Sequence, residues 1–271
     1  MAYYCGIDIG ASTAKAVLVD EAGDMVAKAM QLSGVDYQAT AAHLLDEVTR
    51  AAGVAREQIA RTVSTGYGRD NVPWADGKMT EIACHGRGAH WHFRERITVI
   101  DIGAQDSKVI HLDAEGRRLA FKMNRKCAAG TGAFIEEIAH RLGLDVSEMN
   151  ALAEQSTRDV PLGSFCTVFA ATEVLAKIRA GEAVADIVRG AFTSVVKRVV
   201  EMDRVTGQLV LTGGVVAHNP CLGRLLGEAF NTEARMPPDP QLAGAFGAAL
   251  FAREQAGAHR PDDHDLHRDA E

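Results

Sequence analysis

No apolar stretch in the sequence approaches the ~18 residues a membrane-spanning helix requires, and the opening MAYYCGIDIG has no basic region ahead of an apolar one. Neither a span nor a secretory leader is expected, which leaves the cytoplasm. Positive charge is in short supply: 29 Lys and Arg stand against 36 Asp and Glu, for a net charge of −7. Nucleic acid and anionic membrane are therefore excluded as main partners. The five cysteines are odd in number and contain no CxxC pair, so they do not form a disulfide framework. Each has to be weighed singly, as a buried thiol or a ligand. Aromatic residues make up only 6% against 47% apolar and 24% charged, the balance of a soluble globular α/β protein. With no GxxxxGK[ST], the chain is not a P-loop protein.

What the sequence does have is one segment written twice. Residues 7–23, IDIGASTAKAVLVDEAG, return at 100–116 as IDIGAQDSKVIHLDAEG. In each copy a β-branched run ends at Asp-Ile-Gly, crosses small, hydroxyl or amide residues, reaches a Lys and resumes as an alternating run. That is strand, tight turn, strand. Gly10 and Gly103 remove Cβ where the backbone turns sharply, and backbone N–H groups beside a Lys suit phosphate oxygens. A single copy reads as an ordinary hairpin; two copies, with Lys15 and Lys108 in register, predict a grip on one ligand from two sides.

In that grip, Asp8 and Asp101 hold Mg²⁺ through water while Lys15 and Lys108 offset phosphate charge. Ser12, Thr13 and Ala14 complete the first loop. Ala104 follows Gly103 in the second, where Gln105 and Asp106 offer polar groups to position an attacking water. Asp8, Asp101 and Gln105 are thus the catalytic candidates. Thr212-Gly213-Gly214, ending an apolar strand and opening a helix, suits close approach of a nucleoside or its α-phosphate, and Gly130 and Gln241 join the candidate nucleotide contacts.

Periodicity places strands at 3–9, 15–19 and 25–31, a helix at 37–52, a short strand running into 64–69 and a helix at 80–90. A second strand set begins at 97. Helices follow at 132–142, 146–155, 168–180 and 185–205, then a strand at 208–211 and helices near 221–230 and 242–253. Strands followed by helices, twice over, imply two similar α/β domains facing each other across a cleft, spanning 1–95 and 96–255. The second is enlarged by the helical stretch between about 127 and 205. The tail 256–271 is polar and expected to be disordered, with little weight given to metal binding by His259, His264 and His267.

This layout of two phosphate loops and an adenosine loop resembles the superfamily of actin, the Hsp70 ATPase domain and the sugar kinases, built from paired ribonuclease H-like domains. The resemblance implies ATP as ligand.

Two cysteines narrow the reading. Cys127 in KCAAGTGAF and Cys166 in SFCTVFA each precede a predicted helix, and a helix N-terminus favours a nearby anion by ~0.3–1 kcal/mol, which suits a thiolate or an anionic cluster. Two thiolates are too few for a [4Fe-4S] cluster, which takes four; a twofold dimer supplies them. Cys5, Cys84 and Cys221 read as structural.

The stretches Gly6-Ile-Asp-Ile-Gly10, Ser64 to Arg69 (STGYGR), Asp101-Ile-Gly103, Lys126 to Gly132 (KCAAGTG), Cys166 to Ala170 and Thr212 to Gly214 resemble the BadF/BadG/BcrA/BcrD ATPase family. These are the ATP-dependent activators of 2-hydroxyacyl-CoA dehydratases and the homologous ATPase subunits of benzoyl-CoA reductase. The resemblance implies one [4Fe-4S] cluster held by the matching Cys127 and Cys166 of two subunits, identical or homologous. It also implies ATP and Mg²⁺ as cofactors and a ferredoxin or flavodoxin as electron source. A CoA-ester reductase or dehydratase would receive the low-potential electron, with no role for nucleic acid or membrane. One departure is Ala104, where the family pattern expects Gly; Ala11 holds the same place in the first copy. Lysine supplies only 8 of the 29 basic residues, a composition that leans toward the benzoyl-CoA reductase subunits. Two other classes stay open: a small-molecule kinase of the superfamily, and a redox-inactive nucleotide-dependent binding module.

Overall fold

The computed structural model describes residues 1–124, 127–158, 160–163 and 166–257. Lys126 of the KCAAGTG stretch and the tail histidines lie outside the described residues.

The duplicated segment folds the same way twice. β1 (Tyr3–Ile9) and β2 (Thr13–Val19) form the first hairpin, β6 (Ile97–Ile102) and β7 (Ser107–Leu112) the second. Each is widened by a third antiparallel strand, β3 (Met25–Leu32) or β8 (Arg118–Asn124), and on the other side by parallel strands, β4 (Ile59–Thr65) with β5 (Gly77–Lys78), or β9 (Gln208–Thr212) with β10 (Ala234–Arg235). The two sheets accordingly share one order, β3-β2-β1-β4-β5 and β8-β7-β6-β9-β10. Register is shared too. Asp8 faces Lys15 on β2 and Thr65 on β4, as Asp101 faces Lys108 on β7 and Thr212 on β9.

Helices cover the sheets according to their apolar spacing. α1 (Tyr37–Ala52) begins at Asp36, whose carboxylate accepts the Ala39 N–H, and ends at Gly53 in the left-handed region. Its buried Ala41, Leu44, Leu45 and Val48 join Ile7, Ile9 and Leu18 in the first core. In the second core, Ile100, Ile102 and Val109 meet Phe134 and Ile138 of α3 (Gly132–Leu142), Met149 of α4 (Met149–Glu154), Val174 of α5 (Thr167–Arg179) and Phe192 of α6 (Val184–Val200). These four helices are the enlargement expected of the second half. The fold is the α/β pair of actin/Hsp70-like, ribonuclease H-like units that the sequence implies.

The chain divides into one unit of Met1–Cys84 with Gly244–Glu271 and another of His85–Ala243. The division falls within α2 (Glu81–Phe93), and the last helix, α9 (Ala243–Gly257), belongs from Gly244 onward to the same unit as β1. Glycine permits the approach of this helix to β1: a Cβ on Gly6 would stand 2.0 Å from the Ala245 carbonyl oxygen. Two short helices, α7 (Gly214–His218) and α8 (Pro220–Ala229), follow β9. The helix expected through 205 stops at Val200, because Thr206 is needed elsewhere. Its carbonyl accepts the buried Thr98 hydroxyl at 2.7 Å, and its N–H donates to the same Oγ1 at 2.9 Å.

Candidate functional site

In the first loop the Gly10 N–H donates to the Thr13 carbonyl at 3.1 Å, closing the turn, and the Ser33 hydroxyl holds the Gly10 carbonyl at 2.6 Å. Ser12 is exposed at the tip; Ala14 is buried in the core. Lys15 Nζ donates to the Thr13 carbonyl at 3.2 Å and lies 3.7 Å from Asp8 Oδ2. The STGYGR stretch closes over the end of β1: the Gly68 N–H reaches the Ile9 carbonyl at 2.8 Å. At Gly66, φ is +90° and a Cβ would meet Asp8 Oδ1 at 2.4 Å. The buried Thr65 hydroxyl has no nitrogen or oxygen partner among the described residues, and its polar neighbour is the Cys84 thiol.

The second loop is built alike but bonded more tightly. Its Gly103 N–H donates to the Asp106 carbonyl at 2.9 Å. Lys108, only 2% exposed at its side chain, turns inward to Asp101 Oδ2 at 3.1 Å and Asp106 Oδ1 at 2.6 Å. Thr212 Oγ1 donates to Asp101 Oδ1 at 3.1 Å, and His85 Nδ1 stands 3.2 Å from that oxygen. Burial alone would raise the Asp101 carboxyl. His85 and Lys108 beside it, with hydrogen bonds from Lys108 and Thr212, hold it down at about 2. An ionised carboxylate of this kind suits a hard cation. Gln105 is exposed at the loop tip. Ala104 is outside the positive-φ residues, so a methyl group is accommodated there.

At the third turn Gly213 has φ +98°, and a Cβ there would lie 2.8 Å from Asp101 Oδ1. A Cβ on Gly214, the first residue of α7, would lie 3.1 Å from Gln241 Nε2, so these two nucleotide candidates are neighbours. Gly130, at φ +79°, is linked to the second loop, since its carbonyl accepts the Ser107 hydroxyl. Sequence reasoning missed His85, Thr212 as a hydrogen-bond donor to Asp101, Ser107 and Asn124. Of these, only Thr212 carried a signal, its place opposite Asp101 on the next strand.

The cysteines separate into two classes. Cys5 and Cys84 are buried, and burial pushes each thiol up to about 12. Cys221 is buried as well, with its thiol raised for the same reason. Cys127 and Cys166 are exposed. Cys166 is the N-cap residue of α5, while Cys127 lies in a loop ahead of Thr131, the N-cap of α3. Helices α3 and α5 pack on each other. No group of three or more His, Cys, Asp or Glu side chains placed for a metal occurs among the described residues. Two exposed thiols fit as half of a four-thiolate site. Among the described residues no helix is long and apolar enough to cross a membrane.

Residues 5–252 match the BadF/BadG/BcrA/BcrD ATPase family. The activator of the 2-hydroxyisocaproyl-CoA dehydratase from Clostridium difficile, solved with bound ADPNP, is 41% identical with a TM-score of 0.87, covering 94% of this chain and 96% of that one. Component A of the (R)-2-hydroxyglutaryl-CoA dehydratase of Acidaminococcus fermentans is 38% identical with a TM-score of 0.91, covering 95% of this chain and 100% of that one. A component of the benzoyl-CoA reductase of Thauera aromatica is 29% identical, covering 93% of each chain. The lean that arginine usage gave toward the reductase is therefore reversed. Preference for Arg over Lys is a property of the whole chain, and it carries no information about the site.

Proposed function

The chain belongs to the BadF/BadG/BcrA/BcrD ATPase family, and from that premise we propose that it is the ATP-hydrolysing activator of a 2-hydroxyacyl-CoA dehydratase. The observation that carries the redox part of this reading is the sorting of the cysteines: the two in the family stretches are exposed, and the other three are buried. Higher identity to the two dehydratase proteins than to the reductase component favours a dehydratase as partner.

In this reading the N–H groups at the tips of the two turns, between Gly10 and Thr13 and between Gly103 and Asp106, take the phosphates of ATP, with Lys15 balancing their charge and Lys108 held between Asp101 and Asp106. Asp8 and Asp101 accept from the water shell of Mg²⁺, and Gln105 orients the attacking water. Gly213, Gly214 and Gln241 accommodate the nucleoside, and Gly130 ties the second loop to the cysteine loop. Cys127 and Cys166, each from two chains, would hold a [4Fe-4S] cluster, which when bound supplies a low-potential electron, replenished by ferredoxin or flavodoxin.

Anaerobic purification tests the proposal. A brown protein with about four irons per pair of chains, activating a 2-hydroxyacyl-CoA dehydratase only with ATP and a reductant, is expected. Colourless protein, or ATP-dependent reduction of benzoyl-CoA without dehydratase activation, would count against it.

A further inference from the structure

We propose that Asn124 and Ser107 are positioning residues that lock the Cys127 loop to the second phosphate loop, so that the two move as one body. The proposal rests on the reading that the second loop takes a nucleotide.

The first turn of a helix leaves N–H groups without partners in the helix, and a side chain usually supplies them. α3 does otherwise. Its N-cap Thr131 makes no side-chain cap bond. The Gly132 N–H instead donates to the Gly103 carbonyl at 2.9 Å and the Ala133 N–H to the Ala104 carbonyl at 2.8 Å. The phosphate loop itself caps the helix. Backbone lies on backbone at this contact: a Cβ on Gly132 would stand 3.2 Å from Ala104 Cα and 3.4 Å from the Gly103 oxygen.

The loop before the helix is held just as completely. Asn124, the last residue of β8, donates its Nδ2 to the Cys127 carbonyl at 3.1 Å and the Ala129 carbonyl at 2.8 Å. Thr131 Oγ1 donates to the Ala128 carbonyl at 2.6 Å, and buried Ser107, which opens β7 directly after the phosphate loop, donates to the Gly130 carbonyl. Every carbonyl from Cys127 to Gly130 thus accepts a side-chain hydrogen bond. The Cys127 thiol remains exposed while its backbone is fixed. A ligand that shifts Gly103 and Ala104 must carry the start of α3 with it, and Asn124 and Ser107 leave the cysteine backbone no independent path.

The test uses the full chain with both exposed thiols unligated and follows alkylation of each cysteine by mass spectrometry, with and without ADPNP and Mg²⁺. Nucleotide affinity is titrated in parallel. In the unaltered protein, ADPNP should change the Cys127 rate by about fivefold, the low end of coupling between two sites. Asn124→Asp keeps the shape of the side chain but has no N–H to donate. It should bind ADPNP with unchanged affinity, keep the Cys166 rate and lose the nucleotide effect at Cys127. Ser107→Ala should do the same. The proposal is overturned if ADPNP binds and the Cys127 rate does not respond, or if Asn124→Asp retains the response. Absence of any ADPNP binding would instead sink the nucleotide reading, and this inference with it.

Discussion

Replacing the same lysine in each copy of the repeat measures how differently the two loops are held. Lys108 and Asp101 are both 2% exposed at the side chain and 3.1 Å apart, with Asp106 at 2.6 Å on the same ammonium. Lys108→Met leaves a buried carboxylate without the ammonium that hydrogen-bonds it, and removing one partner of a buried pair costs about 3–5 kcal/mol. An independent figure comes from the Asp101 carboxyl, which is held at about 2 against an ordinary 3.8. At ~1.4 kcal/mol per unit, that shift amounts to about 2–3 kcal/mol for all its partners together, net of burial. A loss of ~3 kcal/mol satisfies both and lowers Tm by about 6–12 °C. Lys15→Met is the control. With its ammonium 3.7 Å from Asp8 and partly exposed, it should cost ~1 kcal/mol, or about 2–4 °C. Because the folded Asp101 carboxyl lies below its unfolded value, its stabilisation is complete above a pH of about 4 and disappears as pH falls through about 2. The gap between Lys108→Met and unaltered protein should narrow over that interval. Thermal unfolding by circular dichroism at pH 7 and in an acid series measures both. Equal losses for the two variants, or a Lys108→Met loss under ~1 kcal/mol, would refute the reasoning.

Thr212→Val, which removes a hydroxyl bonded to Asp101, should cost about 1–3 kcal/mol in urea unfolding, whereas Thr65→Val, which removes a buried hydroxyl whose polar neighbour is only the weakly bonding Cys84 thiol, should cost less, under about 1 kcal/mol. Gly247→Ala puts a Cβ 1.8 Å from the Cys84 carbonyl oxygen, so α9 has to move, and a loss of at least ~1–3 kcal/mol is expected in the same assay. After anaerobic purification, Cys166→Ser should be colourless and free of iron, while Cys221→Ala should keep the colour of the unaltered chain; absorbance at the cluster bands separates the two.

The carboxylate and lysine of each loop were legible because a strand, a turn and the next strand follow one another directly, over residues 3–19 and 97–112, and hairpin register follows from local alternation. Gly213 and Gly214 were legible for a similar reason, at the end of an apolar strand. His85 was not. It reaches Asp101 from a helix whose sequence carries no periodic mark distinguishing that position from its neighbour Cys84. Asn124 and Ser107 act on backbone carbonyls, which have no residue identity to read. β5 and β10 have two residues each, too few for any period to show. The docking of α9 on β1 depends on Gly6 meeting Ala245, a contact between opposite ends of the chain that no local pattern encodes.

One difference within the repeat accounts for much of the contrast between the loops. The position two residues before the lysine is Thr13 in the first copy and Asp106 in the second. With a threonine there, Lys15 donates to a backbone carbonyl at 3.2 Å and stays 3.7 Å from Asp8. With an aspartate, Lys108 is drawn between two carboxylates and buried. A buried ammonium between two carboxylates has little freedom to turn toward a new ligand, because any movement exposes one of them unpaired in a low-dielectric setting. The first loop thus keeps a cation that can still change partners. The second has fixed its own, and it is the second that caps the helix following Cys127. In the proposed coupling to the Cys127 loop, internal rigidity is an advantage, since motion absorbed within the phosphate loop never reaches the helix it caps.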